Sequence, residues 1–179
     1  MVHRAGGLLV VDDSAPDKHH AKKIGLVSRH WSGKHQRVAW GINLITMVWT
    51  DGDRVVPCDY RVYDKASDGL TKSGHFLAML RQAEGRGFRP RCVAFDSWYS
   101  GLENLKAVRA RGWRFLTQSK VNRKVDFGRQ GHRAIAEVPI APGGTIVHLD
   151  GFGSVRVFKV VSETGTLNTG RPTTWRWMS

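Results

Sequence analysis

The chain has 179 residues, enough for one domain with a real core or a domain with an appendage, and at 41% hydrophobic and 24% charged it reads as folded rather than disordered. Its 28 Lys and Arg against 15 Asp and Glu give a net charge of +13, which points to a polyanionic partner, with nucleic acid first. Two cysteines, Cys58 and Cys92, fit neither a zinc framework nor a disulfide scaffold; they read as core thiols in a reducing compartment. No apolar run approaches the roughly eighteen residues of a membrane span, and the amino terminus lacks a signal peptide's apolar stretch, so a cytoplasmic protein without a membrane partner is expected.

The first strand is predicted at 8–12, where Leu8-Leu9-Val10-Val11 runs into Asp12-Asp13-Ser14. From Ser14 to Arg37 the sequence is basic with little periodicity and reads as a long surface loop with a positive face; Lys18, Lys22, Lys23, Arg29 and Lys34 are candidate phosphate contacts there. Its histidines lack cysteine companions and paired helical spacing, which argues against zinc. Val38 to Trp49 reads as a second strand, Thr50-Asp51-Gly52-Asp53 as a hairpin turn, and Arg54 to Tyr63 as a third strand that Pro57 makes an edge or bulged one. A helix capped by Thr71 follows, with Phe76, Leu80 and Ala83 on one face and Gly85 or Gly87 at its end.

Cys92-Val93-Ala94-Phe95 reads as a strand buried on both faces and ending at Asp96. Ser100 and Glu103 form a capping-box pattern for a second helix with Leu102, Leu105 and Val108 on one face, and Trp113 to Thr117 reads as a strand. Past Ser119 the texture turns basic and β-rich: Lys120, Arg123 and Lys124 are further DNA-binding candidates, and strands are expected at Ile135–Ile140, Thr145–Leu149 and Ser154–Val161. Three strands, helix, strand, helix, strand is the order of an α/β ribonuclease H-like mixed sheet with helices, here followed by a β-rich insertion. Spacing alone does not separate it from other α/β folds. Two strands that each finish in Asp suggest a shared metal site, since carboxylate oxygens suit the Mg²⁺ or Mn²⁺ pairs, about 3.5–4 Å apart, of phosphoryl transfer. A lone strand-terminal Asp is just as readily a cap for the following turn.

Five blocks carry a resemblance: Val11-Asp12-Asp13-Ser14 with Asp17-Lys18; Trp40-Gly41-Ile42-Asn43-Leu44; Asp59 through Lys65; Phe95-Asp96-Ser97-Trp98-Tyr99; and Ser119-Lys120-Val121-Asn122-Arg123. In this order they resemble the DDE transposases of the insertion sequence 701 family, related to the insertion sequence 4 group, from about Leu8 to about Glu163. The resemblance implies a Mg²⁺- or Mn²⁺-dependent enzyme that cuts and joins DNA at transposon ends and target, homodimeric in some intact relatives. It maps the first catalytic, metal-holding carboxylate onto Asp13, with Asp12 the alternative, and the second onto Asp96. The helix bearing the third carboxylate, a Glu, is missing: Asp126, Glu137, Asp150 and Glu163 all fall in turn or strand contexts, and the family's amino-terminal DNA-binding region has no counterpart.

The expected organisation is a partial catalytic core at 1–119, a β-rich insertion at 120–165 and an aberrant tail at 166–179. Reverse translation of the tryptophan-rich tail in a shifted frame gives a continuation resembling the family, so a frameshift is expected to have produced it. A defective transposase fragment is therefore the leading expectation. A non-enzymatic DNA-binding remnant and a basic RNA-associated α/β module stand beside it.

Overall fold

Alternation of side chains between two faces governs the amino-terminal half. In a computed structural model, residues 5–14, 28–32, 37–64, 67–161 and 173–178 are described, in two units divided between Arg91 and Cys92. The first unit contains β1 (Leu8–Ser14), β2 (Ser28–Ser32), β3 (Arg37–Gly41), β4 (Asn43–Thr50), β5 (Val55–Tyr63) and α1 (Lys72–Gly85). Strand β4 pairs antiparallel with β1 on one side and β5 on the other, while β2 and β3 form a separate hairpin.

Leu9 and Val11 of β1 and Ile45, Met47 and Trp49 of β4 are buried on one face, and α1 contributes Phe76, Met79, Leu80 and Ala83 to the same core. The residues between them point to the opposite face, where Leu8, Val55, Tyr60 and Val62 are exposed. Cross-strand register makes the division explicit: Asp13, Ile45 and Arg61 lie in one row, Asp12, Thr46 and Tyr60 in the next, so the adjacent carboxylates Asp12 and Asp13 face opposite ways.

Several expectations need correction. Strand β1 runs on to Ser14, so both Asp12 and Asp13 lie inside it. The expected loop from Ser14 to Arg37 contains β2, whose partner β3 supplies the ladder bonds that sequence periodicity did not reveal. The single strand expected over Val38–Trp49 is two, because the chain changes partners at Ile42: β3 pairs with β2, and β4 with β1 and β5.

Pro57 does sit on an edge strand beside a register shift, with Met47 opposite Asp59 and Val48 opposite Pro57. Thr71 caps α1, its hydroxyl oxygen accepting from the Gly74 amide at 3.1 Å, and the helix ends at Gly85.

The second unit contains β6 (Cys92–Phe95), a 3₁₀ turn at Ser97–Tyr99, α2 (Leu102–Ala110), β7 (Arg114–Ser119), β8 (Lys124–Asp126), β9 (His132–Ala134), a 3₁₀ turn at Ile135–Glu137, β10 (Thr145–Leu149), β11 (Gly153–Val161) and β12 (Thr173–Met178). Its strands follow the order β6-β7-β12-β11-β10-β8-β9; β6 and β7 are parallel and the remaining pairs antiparallel. Phe115 packs against Phe95 and Phe152, at ring-centroid distances of 6.3 and 5.6 Å, within a core that also holds Val93, Leu105, Val108, Val147 and Val155.

In this unit too the sequence misleads in places. Strand β6 buries Val93 and Phe95 but leaves Cys92 and Ala94 half-buried, so only one face is fully covered; Cys58 and Cys92 are half-buried free thiols rather than core ones. The capping box at Ser100 and Glu103 does not form. Gly101 occupies the cap position with no side-chain bond, and the Ser100 hydroxyl instead donates to the Ser97 carbonyl, closing the preceding 3₁₀ turn.

Where a strand was expected over Ile135–Ile140 the backbone makes a 3₁₀ turn, with Ile135 and Val138 buried three residues apart and Pro139, which has no amide hydrogen to give a ladder, directly after. Strand pairing uses β8 and β9 instead. Residues 173–178 of the tryptophan-rich tail form β12, hydrogen-bonded to β7 on one side and β11 on the other.

Candidate functional site

Asp13 occupies the α1-facing side of β1, one step beyond the buried Leu9 and Val11. Its side chain is 14% exposed, and its Oδ2 accepts from the Lys72 ammonium in a salt bridge. Lys72 is the first residue of α1, and its ammonium also lies 5.8 Å from the centre of the Tyr63 ring. Tyr63 meets His75 edge-on at 5.9 Å, and His75 Nε2 lies 2.7 Å from Asp68 Oδ2. The result is a continuous polar run, Asp13–Lys72–Tyr63–His75–Asp68, over the amino-terminal end of α1. Asp12 is exposed on the opposite face, and its Oδ1 accepts from the Asp13 amide at 3.0 Å.

Asp96 belongs to the second unit, immediately after β6. Its Oδ1 accepts from the Trp98 amide at 2.9 Å, capping the 3₁₀ turn, and its own carbonyl accepts from the Thr117 hydroxyl at 3.0 Å. Thr117 is buried opposite Phe95 in the parallel β6–β7 ladder, so the hydroxyl ties the carboxyl end of β6 to its neighbour. Below the turn the buried Asn104 amide donates to the Tyr99 carbonyl at 3.0 Å, while Trp98 stays 68% exposed beside Asp96.

Among the basic candidates, Lys120 is exposed on the turn after β7 and Lys124 is exposed as the first residue of β8. Arg123 between them is half-buried, and desolvation pushes its guanidinium below the usual arginine range. Its backbone organises the turn: the Arg123 amide donates to Lys120 and the Ile135 amide donates to Arg123, at 3.0 and 2.9 Å. Arg29 lies in β2 opposite Trp40. Lys18, Lys22, Lys23 and Lys34 lie outside the described residues, as does Glu163.

Sequence reasoning found the two strand-end carboxylates but missed Lys72, Tyr63, His75, Asp68 and Thr117. For Lys72 a signal existed. A cation in the first turn of a helix opposes the positive end of the macrodipole at about 0.3–1 kcal/mol, and α1 has no acidic residue there to compensate.

Neither protein-family models nor curated protein sequences give a match to this chain. A search of solved structures does. A cryo-EM structure of a piggyBac transposase synaptic complex with hairpin DNA superposes with a TM-score of 0.57 over 97% of this chain, at 10% identity. The chain has a transposase-like fold. It spans 33% of the length of that transposase chain. The fold is mixed α/β, with a separate two-stranded sheet and two α-helices among the described residues, and none of those helices is long and apolar enough to cross a membrane.

Carboxylate oxygens are the donors that Mg²⁺ and Mn²⁺ take, and Asp13 already holds a cation, the Lys72 ammonium, on one oxygen. Asp96 commits Oδ1 to the Trp98 amide. Among the described residues no three His, Cys, Asp or Glu side chains form a metal-holding group. An ion at either carboxylate would take most of its shell from water or phosphate oxygens, as Mg²⁺ commonly does.

Proposed function

We propose that this chain is part of the catalytic core of a DNA transposase, ribonuclease H-like in topology and of the DDE type seen in the insertion sequence 701 family. The observation that carries the reading is the fold likeness to a transposase over nearly the whole chain. The order of elements supports it: β1, β4 and β5 antiparallel, then α1, β6, α2 and β7, with a carboxylate at the carboxyl end of β1 and another after β6. The role itself rests on analogy of fold and on those two carboxylates, since one fold serves many functions.

In this reading Asp13 and Asp96 hold Mg²⁺ or Mn²⁺, and Asp12, on the other face of β1, does not. The metal would stabilise charge on the attacking and leaving oxygens of the DNA phosphate. Lys120 and Lys124 meet backbone phosphates as point charges, and the exposed Trp98 offers a ring against which an unpaired base can stack. Leu8, Val55, Tyr60 and Val62 are exposed on the second face of the β1–β4–β5 sheet, the face that further elements cover in a ribonuclease H-like core.

One observation favours a non-enzymatic DNA-binding remnant. Each strand-end carboxylate has a local partner, Lys72 for Asp13 and the Trp98 amide for Asp96. Nicking of supercoiled plasmid with Mg²⁺ or Mn²⁺ separates the two. Nicking that Asp96→Ala and Asp13→Asn abolish, and Asp12→Asn does not, supports the catalytic reading; metal-dependent nicking that survives all three overturns the assignment. DNA binding without nicking leaves the remnant. Salt-dependent binding that prefers RNA refutes both.

A further inference from the structure

Lys120, Arg123, Lys124, Arg129 and Arg133 fall between positions 120 and 133, where Asp126 is the one acidic residue. Most of them belong to the β8–β9 hairpin, whose base is fixed in the second unit. Val125 and Ile135 are fully buried, and the Ile135 amide donates to the Arg123 carbonyl at 2.9 Å. The strands are held as well, since Asp126 pairs with His132 of β9 on one side and with His148 of β10 on the other. What stands clear of the ladder is the loop Phe127-Gly128-Arg129-Gln130-Gly131.

Arg129, exposed at the centre of that loop, has φ +58° and is the one non-glycine residue in the left-handed region among the described residues. A residue with a Cβ is disfavoured there, whereas glycine, which fills positions 128 and 131 at φ +67° and +89°, meets no such cost. An arginine kept where glycine suits the backbone better points to a use for its side chain. Gln130 beside it accepts from Arg133 Nη2 at 3.2 Å, which braces the return of the loop into β9.

We infer that the β8–β9 loop reads the DNA minor groove: Arg129 enters the groove of an A·T-rich stretch, and Lys120 and Lys124, exposed at the base of the hairpin, meet flanking phosphates. This rests on the reading of the chain as DNA-binding, and adds where on the duplex the second unit binds and which sequence it prefers. The groove follows from dimensions. A free two-stranded ribbon fills a major groove about 12 Å wide, but this ribbon is part of the sheet, and only a loop with glycines on either side of Arg129 and Gln130 is left to enter, which suits an opening of about 6 Å. A·T tracts narrow that groove and deepen its negative potential, where a guanidinium gains most.

The test is fluorescence anisotropy of the full chain with short labelled duplexes that differ only in a central tract: A·T pairs, G·C pairs, or A·T pairs with diaminopurine in place of adenine. Diaminopurine adds an amino group to the floor of the minor groove and leaves the major-groove edge unchanged. The parent should bind the A·T duplex about tenfold more tightly than the other two, and Arg129→Ala should lose that factor on the A·T duplex alone, as expected for a contact to base edges. Arg129→Gly should do the same, and because glycine fits the φ at this position it covers the case in which the alanine variant does not fold. Lys124→Ala should weaken binding to all three alike and reduce the salt slope by about one.

Equal binding to the three duplexes, or an A·T preference that both Arg129 variants keep, overturns the minor-groove role while DNA binding stands. A preference that diaminopurine does not erase places the readout in the major groove and overturns it too. No DNA binding by the parent, or tighter binding to double-stranded RNA, overturns both readings.

Discussion

Gly7 controls how β1 enters the first unit, and replacing it with alanine should be far more damaging than the same change one residue earlier. Both Gly6 and Gly7 have positive φ, +81° and +67°, a region that costs a residue with a Cβ about 1–2 kcal/mol. They differ in what that Cβ would meet. At Gly6 the nearest atom is Arg91 Nε at 3.9 Å, an ordinary contact, whereas at Gly7 it would lie 2.6 Å from the Thr50 carbonyl oxygen and 2.8 and 2.9 Å from Trp49 ring carbons.

The Thr50 oxygen is backbone in the β1–β4 ladder, and Trp49 is fully buried with its Nε1 donating to the Gly6 carbonyl at 3.0 Å, so neither yields easily. Overpacking of this kind adds about 1–3 kcal/mol. Gly6→Ala should therefore lose about 1–2 kcal/mol and Gly7→Ala about 2–5 kcal/mol. Urea unfolding followed by tryptophan fluorescence measures both, with the slope checked for constancy so that the midpoints report stability. Equal losses in the two variants would refute the steric argument and leave only backbone strain.

Thr71→Ala, by removing the one side-chain cap of α1, should cost about 1 kcal/mol in the same urea experiment; a loss below about 0.3 kcal/mol would mean that the Gly74 amide finds water as good a partner. Burial raises the thiols of Cys58 and Cys92 above their ordinary value of 9.0, so the folded chain keeps these protons after the unfolded chain releases them. Stability held at neutral pH should then fall as pH rises through 9.0 toward the folded-state values, and this component should vanish in the Cys58→Ser, Cys92→Ser double variant; identical pH profiles would exclude it. At the hairpin turn the sign reverses. The Arg54 backbone amide holds Asp51 below its ordinary 3.8, so Asp51→Asn should remove a contribution that is present above 3.8 and lost as pH falls through the folded-state value, checked by comparing acid unfolding profiles. Coincident profiles there would contradict a contribution from the bond between the Asp51 carboxylate and the Arg54 amide.

The sequence made legible what depends on local chemistry. Thr71 three residues before Gly74 and the apolar spacing of Phe76, Leu80 and Ala83 gave α1 directly, and Pro57 announced an edge strand. Strand-end carboxylates were also legible, although a pattern could not say which of Asp12 and Asp13 faces the helix; register did. What escaped depends on partners distant in sequence. Nothing near Ile42 signals that the chain changes neighbours there, and Ser100 had two possible jobs, of which the 3₁₀ turn won. The Lys72–Asp13 pair joins a strand to a helix with β2, β3, β4 and β5 between them in sequence.

Strand β12 lies between β7 and β11, so the two halves of the second unit's sheet are joined through residues 173–178. During synthesis β7 leaves the ribosome with one flank unpaired and waits until everything from Lys120 onward has followed. The sheet cannot zip progressively; it closes late, by insertion of a strand between two edges already formed, the slow kind of step that long-range pairing imposes. A chain ending at residue 172 should leave both edges open, losing amide-exchange protection along β11 and gaining a tendency to pair with other chains. Retained protection would show that β11 and β7 do without the strand between them. The order in which the unit assembles is thus set by its last strand, and the interval before that strand arrives is the period of greatest exposure to misassembly.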